Sequence, residues 1–368
     1  MGTDRTTSTA IGSEERPWTA DPDDAGILTR RARVRASGPY RAALPARIAR
    51  LGLDLPSDLA TEVEEATAAV VRFDAEISHA LPGLTGEIAP IDAVLLRTES
   101  ASSSQIEHIT AGARALALAT LGERTRPNAA LVAANVRAMG AASRLAADLD
   151  EPALLAAHRA LMDGQEHARP GAYRDAQGWI GGGAPTPHTA QFVPPHPERL
   201  RAGMDDLFAY LRRTDVPALV QAAIAHAQFE TIHPFADGNG RTGRLVLNLI
   251  LVRLGYPPIV VMKRQRDTYL TAMQRADDGD PGLLGEVLAR AMLDNLNRFI
   301  LPNVAGPARL VPIAALVDDH FSAAALRQAA QRGRLEAFQG PDGVWRSSRK
   351  AVEEYARTKG RRRAKEER

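Results

Sequence analysis

Twelve consecutive residues carry the clearest chemistry in the 368-residue chain: His233-Pro234-Phe235-Ala236-Asp237-Gly238-Asn239-Gly240-Arg241-Thr242-Gly243-Arg244. Gly238 and Gly240 allow unusual backbone angles and the close approach of an anion. Arg241 and Arg244 stand three residues apart. On one helical turn they face the same way and can grip one polyphosphate in bidentate fashion. Asp237 is an oxygen ligand beside that anion, and a carboxylate plus substrate phosphates is the usual way a protein holds Mg²⁺. His233 is left as the base, because an unperturbed histidine is mostly neutral at pH 7 and can take a proton from a hydroxyl. These are the parts needed to hold a nucleoside triphosphate and to activate a hydroxyl against it. A solvated corner between two helices needs one glycine and none of the rest.

The flanking elements must position this run. From Val216 to Ile232 the spacing of Leu219, Ala223, Ala227 and Thr231 predicts a helix. Pro234 disfavours helical geometry at the residue before it, so His233 stands at the mouth of a loop. Asp237-Gly238-Asn239-Gly240 is turn chemistry. A second helix follows from about Arg241 to Leu254, with Leu245, Leu249 and Val252 on one face and Gly255-Tyr256-Pro257-Pro258 as its stop. The loop thus feeds a helix N-terminus, where free N–H groups and the dipole favour phosphate.

Nine of these positions (His233, Pro234, Phe235, Asp237, Gly238, Asn239, Gly240, Arg241, Arg244) match the signature of the Fic family of protein adenylyltransferases, which the chain resembles over roughly residues 40–300. The resemblance implies a mainly α fold: a Fic helical bundle with a β-hairpin flap and a helical N-terminal extension. It implies an enzyme that transfers AMP from ATP to a Ser, Thr or Tyr hydroxyl of a target protein. His233 would deprotonate that hydroxyl and Asp237 would hold Mg²⁺. ATP would be bound by Gly238, Asn239, Gly240, Arg241, Thr242, Gly243 and Arg244, with Arg241 on the β-phosphate and Arg244 on the γ-phosphate. Phe235 would anchor the loop to the core. Gly240 stands where the phosphate-transferring, Doc-like branch has lysine.

Upstream, Ser103 and Glu107 in Ser102-Ser103-Ser104-Gln105-Ile106-Glu107-His108 resemble the inhibitory motif of autoinhibited Fic proteins, and His108 departs from it. By this resemblance Glu107 occupies Arg244 and keeps the γ-phosphate out. The segment from Gly171-Ala172-Tyr173-Arg174 through Trp179-Ile180-Gly181-Gly182 to Gln191-Phe192-Val193 breaks helical periodicity and reads as a Gly-rich hairpin. It resembles the family's flap, with Trp179, Ile180, Gly181 and Gly182 aligning the target by strand addition. His158 and His226, among alanines, read as packed and hydrogen-bonded rather than catalytic.

Composition bounds the rest. The chain has no cysteine, which excludes disulfides and thiolate chemistry and is compatible with the reducing cytoplasm where we expect it. No apolar run approaches the ~18–20 residues of a membrane span, so no membrane partner is expected. From Pro307 to Arg368 there are 14 Lys+Arg against 8 Asp+Glu, a basic end on a chain of net charge +2. Two short helical stretches, the turn Pro341-Asp342-Gly343 and a last helix there look like a small winged helix–turn–helix, which points to DNA as a partner. The expected organisation is a disordered lead-in over 1–38, a Fic N-terminal domain with the inhibitory helix over 39–112, and the Fic catalytic domain over 113–305. The winged-helix-like domain follows over 306–358, then a disordered basic tail over 359–368. Two other activities stay open: removal of AMP, with Glu107 orienting a water, and a DNA-binding regulator whose Fic core senses nucleotide. The oligomeric state is open, a homodimer among the options.

Overall fold

The computed structural model describes residues 8–18, 38–80, 98–99, 102–107, 109, 118–119, 127–143, 149–181, 184, 186–296, 310–317, 321–340 and 343–366. The chain divides into two compact units, Met1–Val63 with Leu96–Ala289, and Glu64–Leu95 with Arg290–Arg368.

In the first unit the labelled elements are β1 (Gly12–Arg16), β2 (Tyr40–Leu44), the start of α1 (Ser57–Ala80), α2 (Pro127–Ser143), α3 (Glu151–Leu161), α4 (Pro197–Leu211), α5 (Ala218–Ile232), α6 (Asn239–Arg253), α7 (Arg266–Asp277) and most of α8 (Gly282–Asn295). The fold is mainly helical, as expected. Helix α5, ALVQAAIAHAQFETI, is apolar on nearly all sides and buried along its length. A helix of that kind belongs at a bundle centre, and α5 packs against α4, α6 and α7. Helix α6 begins at Asn239, earlier than predicted, because Gly238 takes the N-cap in the left-handed region at φ 78°. It ends before Gly255, at φ 80°, the stop read from the sequence. Helix α3 starts at an Asp150 cap whose carboxylate accepts from Ala153 N–H at 2.9 Å.

The disordered lead-in needs correction. Residues 12–16 form β1, antiparallel to β2 with Glu14 opposite Ala42. Its sequence GSEER has no apolar alternation, so periodicity could not reveal it. Main-chain pairing and the ion pairs of Glu14 with Arg16 and Arg199, at 2.8 and 2.7 Å, hold it.

In the second unit β3 (Val311–Pro312), a 3₁₀ turn (Ile313–Leu316), α9 (Ala323–Gln331), the hairpin strands β4 (Ala337–Gln339) and β5 (Trp345–Ser347), and α10 (Arg349–Glu366) follow in order. The sheet order is β3-β5-β4. Val311, Ile313, Phe321, Leu326, Leu335 and Val352 belong to a hydrophobic core of this segment. The first expected helix is a 3₁₀ turn, and Pro341 and Asp342 lie outside the described residues. The tail differs from expectation, since α10 continues to Glu366 through a run of good helix formers. Among the described residues no helix is long and apolar enough to cross a membrane.

Candidate functional site

The loop between α5 and α6 is built from the C-terminus of one buried helix and the N-terminus of the next. His233 caps α5 in the left-handed region, φ 49° and ψ 60°, and its N–H still reaches Phe229 C=O at 2.9 Å. Such a conformation is uncommon for a residue with a side chain. Asn239 then closes the turn. Its side chain accepts from Phe235 N–H at 2.9 Å and donates to Phe235 C=O at 2.8 Å. Both polar ends of Asn239 therefore hold the loop, so its side chain is engaged in the turn. Phe235 is buried and stacks on His158 with ring centroids 3.6 Å apart and planes 4° apart. His158, as expected, is packed and bonded: Nδ1 accepts from Gly171 N–H at 2.9 Å, so Nε2–H donates to Asp237 C=O at 3.0 Å.

His233 Nδ1 lies 3.3 Å from Glu230 C=O. A carbonyl only accepts, so Nδ1 carries the proton and the Nε2 lone pair is left for an incoming hydroxyl. Burial pushes the imidazole down to about 4, against the Glu230 carbonyl and with help from the Arg174 charge. The ring is therefore neutral at pH 7, the form a base requires.

Arg241, next to the α6 N-terminus, is 5% exposed, and its Nη1 is buried with no protein partner among the described residues. Leaving a buried charged donor unsatisfied is costly, so Arg241 is suited to an oxyanion. A side chain at Gly238 would be strained at its φ of 78°, and an added Cβ would meet Met162 Sδ at 2.5 Å. Thr242 is buried one turn into α6, and its Oγ also has no partner among the described residues. Asp237 is half-exposed at the loop mouth, with His167 Nε2 3.3 Å from its carboxylate. Among the described residues no group of three His, Cys, Asp or Glu could hold a metal ion. A lone carboxylate here fits Mg²⁺ only as a cation shared with substrate phosphates.

Arg244 is engaged from the other side. Its Nε donates to Ser103 Oγ at 2.8 Å, and its Nη2 to Ser103 C=O at 3.1 Å and Glu107 Oε1 at 2.8 Å. An added Cβ on Gly240 would collide with the Glu107 carboxylate, so glycine at 240 is also what lets Glu107 reach the arginine. The helical turn at 102–106 is docked on Val261: Glu99 accepts from Val261 N–H at 2.9 Å and Ser102 donates to Val261 C=O at 2.5 Å. Arg266 Nε donates to Ile106 C=O at 3.1 Å. Burial pushes the Glu99 carboxyl up to about 8, against the Arg244 charge and the Val261 bond. His108 lies outside the described residues.

The flap is a single antiparallel bridge, Ile180 to Phe192, with Gly181 at φ 131°. Trp179 donates to Ala184 C=O at 2.7 Å and meets Trp18 edge-on at 5.5 Å. Ala43 N–H of β2 donates to Val193 C=O at 2.9 Å, so the N-terminal strands brace the flap. Gly182 lies outside the described residues. Sequence reasoning missed Trp18, Glu99, His167 and the role of Arg174. Their partners are backbone groups or residues far away in the chain, and no spacing announces such contacts.

The Fic/DOC family model matches residues 148–251. The chain is 35% identical over 130 residues to the protein adenylyltransferase Fic of Drosophila erecta, covering 34% of this chain and 24% of that one. It thus spans about a quarter of the length of the curated relatives it matches. A Fic domain containing signaling protein from Bacteroides thetaiotaomicron superposes with TM-score 0.55 at 19% identity, over 65% of this chain and 96% of that one. A Fic family protein from Desulfovibrio desulfuricans superposes with TM-score 0.50 at 24% identity, over 80% of this chain and 97% of that one. These two likenesses establish the fold. The loop that joins α5 to α6, with His233, Asp237 and both arginines, lies inside residues 148–251, the stretch of this chain that is similar to the Fic/DOC family.

Proposed function

We propose that the chain is a protein adenylyltransferase that moves AMP from ATP to a Ser, Thr or Tyr hydroxyl of a target protein, works in the cytoplasm, and is held back by Glu107. The observation that carries this reading is a neutral His233 whose Nε2 is free among the described residues, in the same loop as a buried Arg241 whose Nη1 has no partner among them. The name protein adenylyltransferase Fic, borne by the matched relatives, supports the choice of chemistry.

His233 Nε2 takes the proton as the hydroxyl oxygen bonds to the α-phosphorus. The bond from that phosphorus to its bridging oxygen breaks, and pyrophosphate leaves. Arg241 and the N–H groups at the α6 N-terminus hold the phosphate oxygens. Asp237 would hold Mg²⁺, which when bound neutralises charge on the phosphates. Arg244 grips the terminal phosphate only after Glu107 lets go. Incubating the full-length protein and a Glu107→Gly variant with each α-labelled nucleotide and cell extract tests this. Protein bands should label from ATP. No label from any nucleotide with either protein would overturn it.

A second partner is proposed for the C-terminal unit: duplex DNA. The sheet order β3-β5-β4 places a hairpin after α9, and Arg327 and Gln331 of α9 line a groove of about 360 Å³ with Gln339, Val344 and Trp345. Exposed Arg327 and Gln328 suit phosphate and base edges. Binding by the full chain should fall steeply with salt. No retention of duplex at low salt would end the idea.

A further inference from the structure

Arg174 is buried, and every hydrogen bond its guanidinium makes goes to a main-chain carbonyl. Burial pulls it down to about 10, so it stays charged at neutral pH. Burying a charge is costly unless its donors are well satisfied. Here Nε donates to His233 C=O at 2.8 Å and Nη2 to Ile232 C=O at 3.4 Å. The Arg174 main-chain N–H takes Pro234 C=O at 2.9 Å. One residue thus holds three successive carbonyls of the turn that carries the base. Two of them end α5, where helix carbonyls lack intrahelical donors and a cation is favoured.

The other donors go to the flap. Nη1 donates to Ala176 C=O at 3.1 Å and Nη2 to Pro195 C=O at 2.6 Å. Residues 176 and 195 are the two stems of the segment that carries the Ile180–Phe192 bridge. Gln177 ties the stems again, donating to Pro194 C=O at 2.9 Å. A planar, rigid guanidinium is suited to fixing several acceptors in one plane, which a lysine ammonium cannot do. The left-handed His233 needs such support, since surrounding structure must over-determine a strained backbone.

We propose that Arg174 is a positioning residue that couples seating of the target on the flap to the placement of the His233 base. The proposal rests on the reading of His233 as the base. When the flap stems are seated by a target strand, the guanidinium is fixed, and with it the carbonyl of His233. When the stems move apart, the turn loses its tie. Nucleotide binding should not feel this, because among the described residues no hydrogen bond of Arg174 goes to Arg241 or to the α6 N-terminus.

The test uses the full chain in the Glu107→Gly background, with Arg174→Lys and Arg174→Gln as variants. ATP affinity should stay within about twofold while turnover on target falls by about 10- to 100-fold, as loss of near-attack geometry predicts. Lysine should recover part of the rate. Hydrogen exchange should quicken together at amides of 177–194 and of 233–238, with the interior of α6 unchanged. Wild-type turnover in Arg174→Gln, or faster exchange at only one of the two segments or evenly everywhere, would overturn the coupling. If the Glu107→Gly parent itself transfers nothing, the functional reading fails, and the paired exchange response alone decides whether Arg174 ties flap to turn.

Discussion

Arg244 Nη2 lies 2.8 Å from Glu107 Oε1, joining the second arginine of the loop to a helical turn 137 residues earlier in the chain. The arginine side chain is 3% exposed and the glutamate 40%. The pair is buried on one side and open on the other. Solvent can therefore compete for the glutamate.

Glu107→Gly should release this lock. Hydrogen bonds to charged groups contribute about 1.5–3 kcal/mol, so labelling should rise about 10- to 100-fold. Arg244→Ala should not rescue activity, and the double variant should behave like Arg244→Ala. Equal labelling by wild type and Glu107→Gly over a range of ATP would make residues 103–107 an ordinary turn.

His233→Ala should lower transfer by about 10²–10⁴-fold while ATP still binds. The base works only when neutral, and burial pushes His233 down to about 4. The rate in the Glu107→Gly background should therefore hold steady from pH 7 down to about 5 and fall below it. A fall centred near the ordinary histidine value of about 6.5 would show that the base is not desolvated.

Asp237→Ala should reduce transfer, and excess Mg²⁺ should recover part of it, because phosphates supply the remaining ligands. Full activity of the Glu107→Gly protein in chelator, with no divalent ion, would rule the carboxylate out as a metal ligand.

Glu99 bears on stability. Its folded-state value is raised to about 8 from 4.5, so the folded chain keeps a proton that the unfolded chain has lost. The contribution is fully present below about 4.5 and is lost as pH rises through about 8. Glu99→Gln keeps the acceptor for Val261 N–H and removes the titration. Melting curves at pH 5 and pH 8.5 should show the variant gaining on wild type by roughly 5 °C or more at the higher pH. A constant difference across that range would place Glu99 in a wetter setting.

The twelve-residue loop was legible because its chemistry is local. Turn residues, a helix N-terminus and arginines three apart declare themselves through backbone preference and helical period. The helices on either side were legible for the same reason, α5 by its apolar run and α6 by its stop at Gly255. The family likeness added the partnership of Glu107 with Arg244, which spacing alone could not supply. Other features depended on contacts between distant segments. Strand β1 is polar and exists through its pairing with β2. Asn239 turned out to hold Phe235, because the tight turn brings both main-chain groups of Phe235 to its amide. The clamp of the Arg174 guanidinium on four carbonyls is invisible in a sequence, since every residue carries the same carbonyl and only the fold decides which ones it meets.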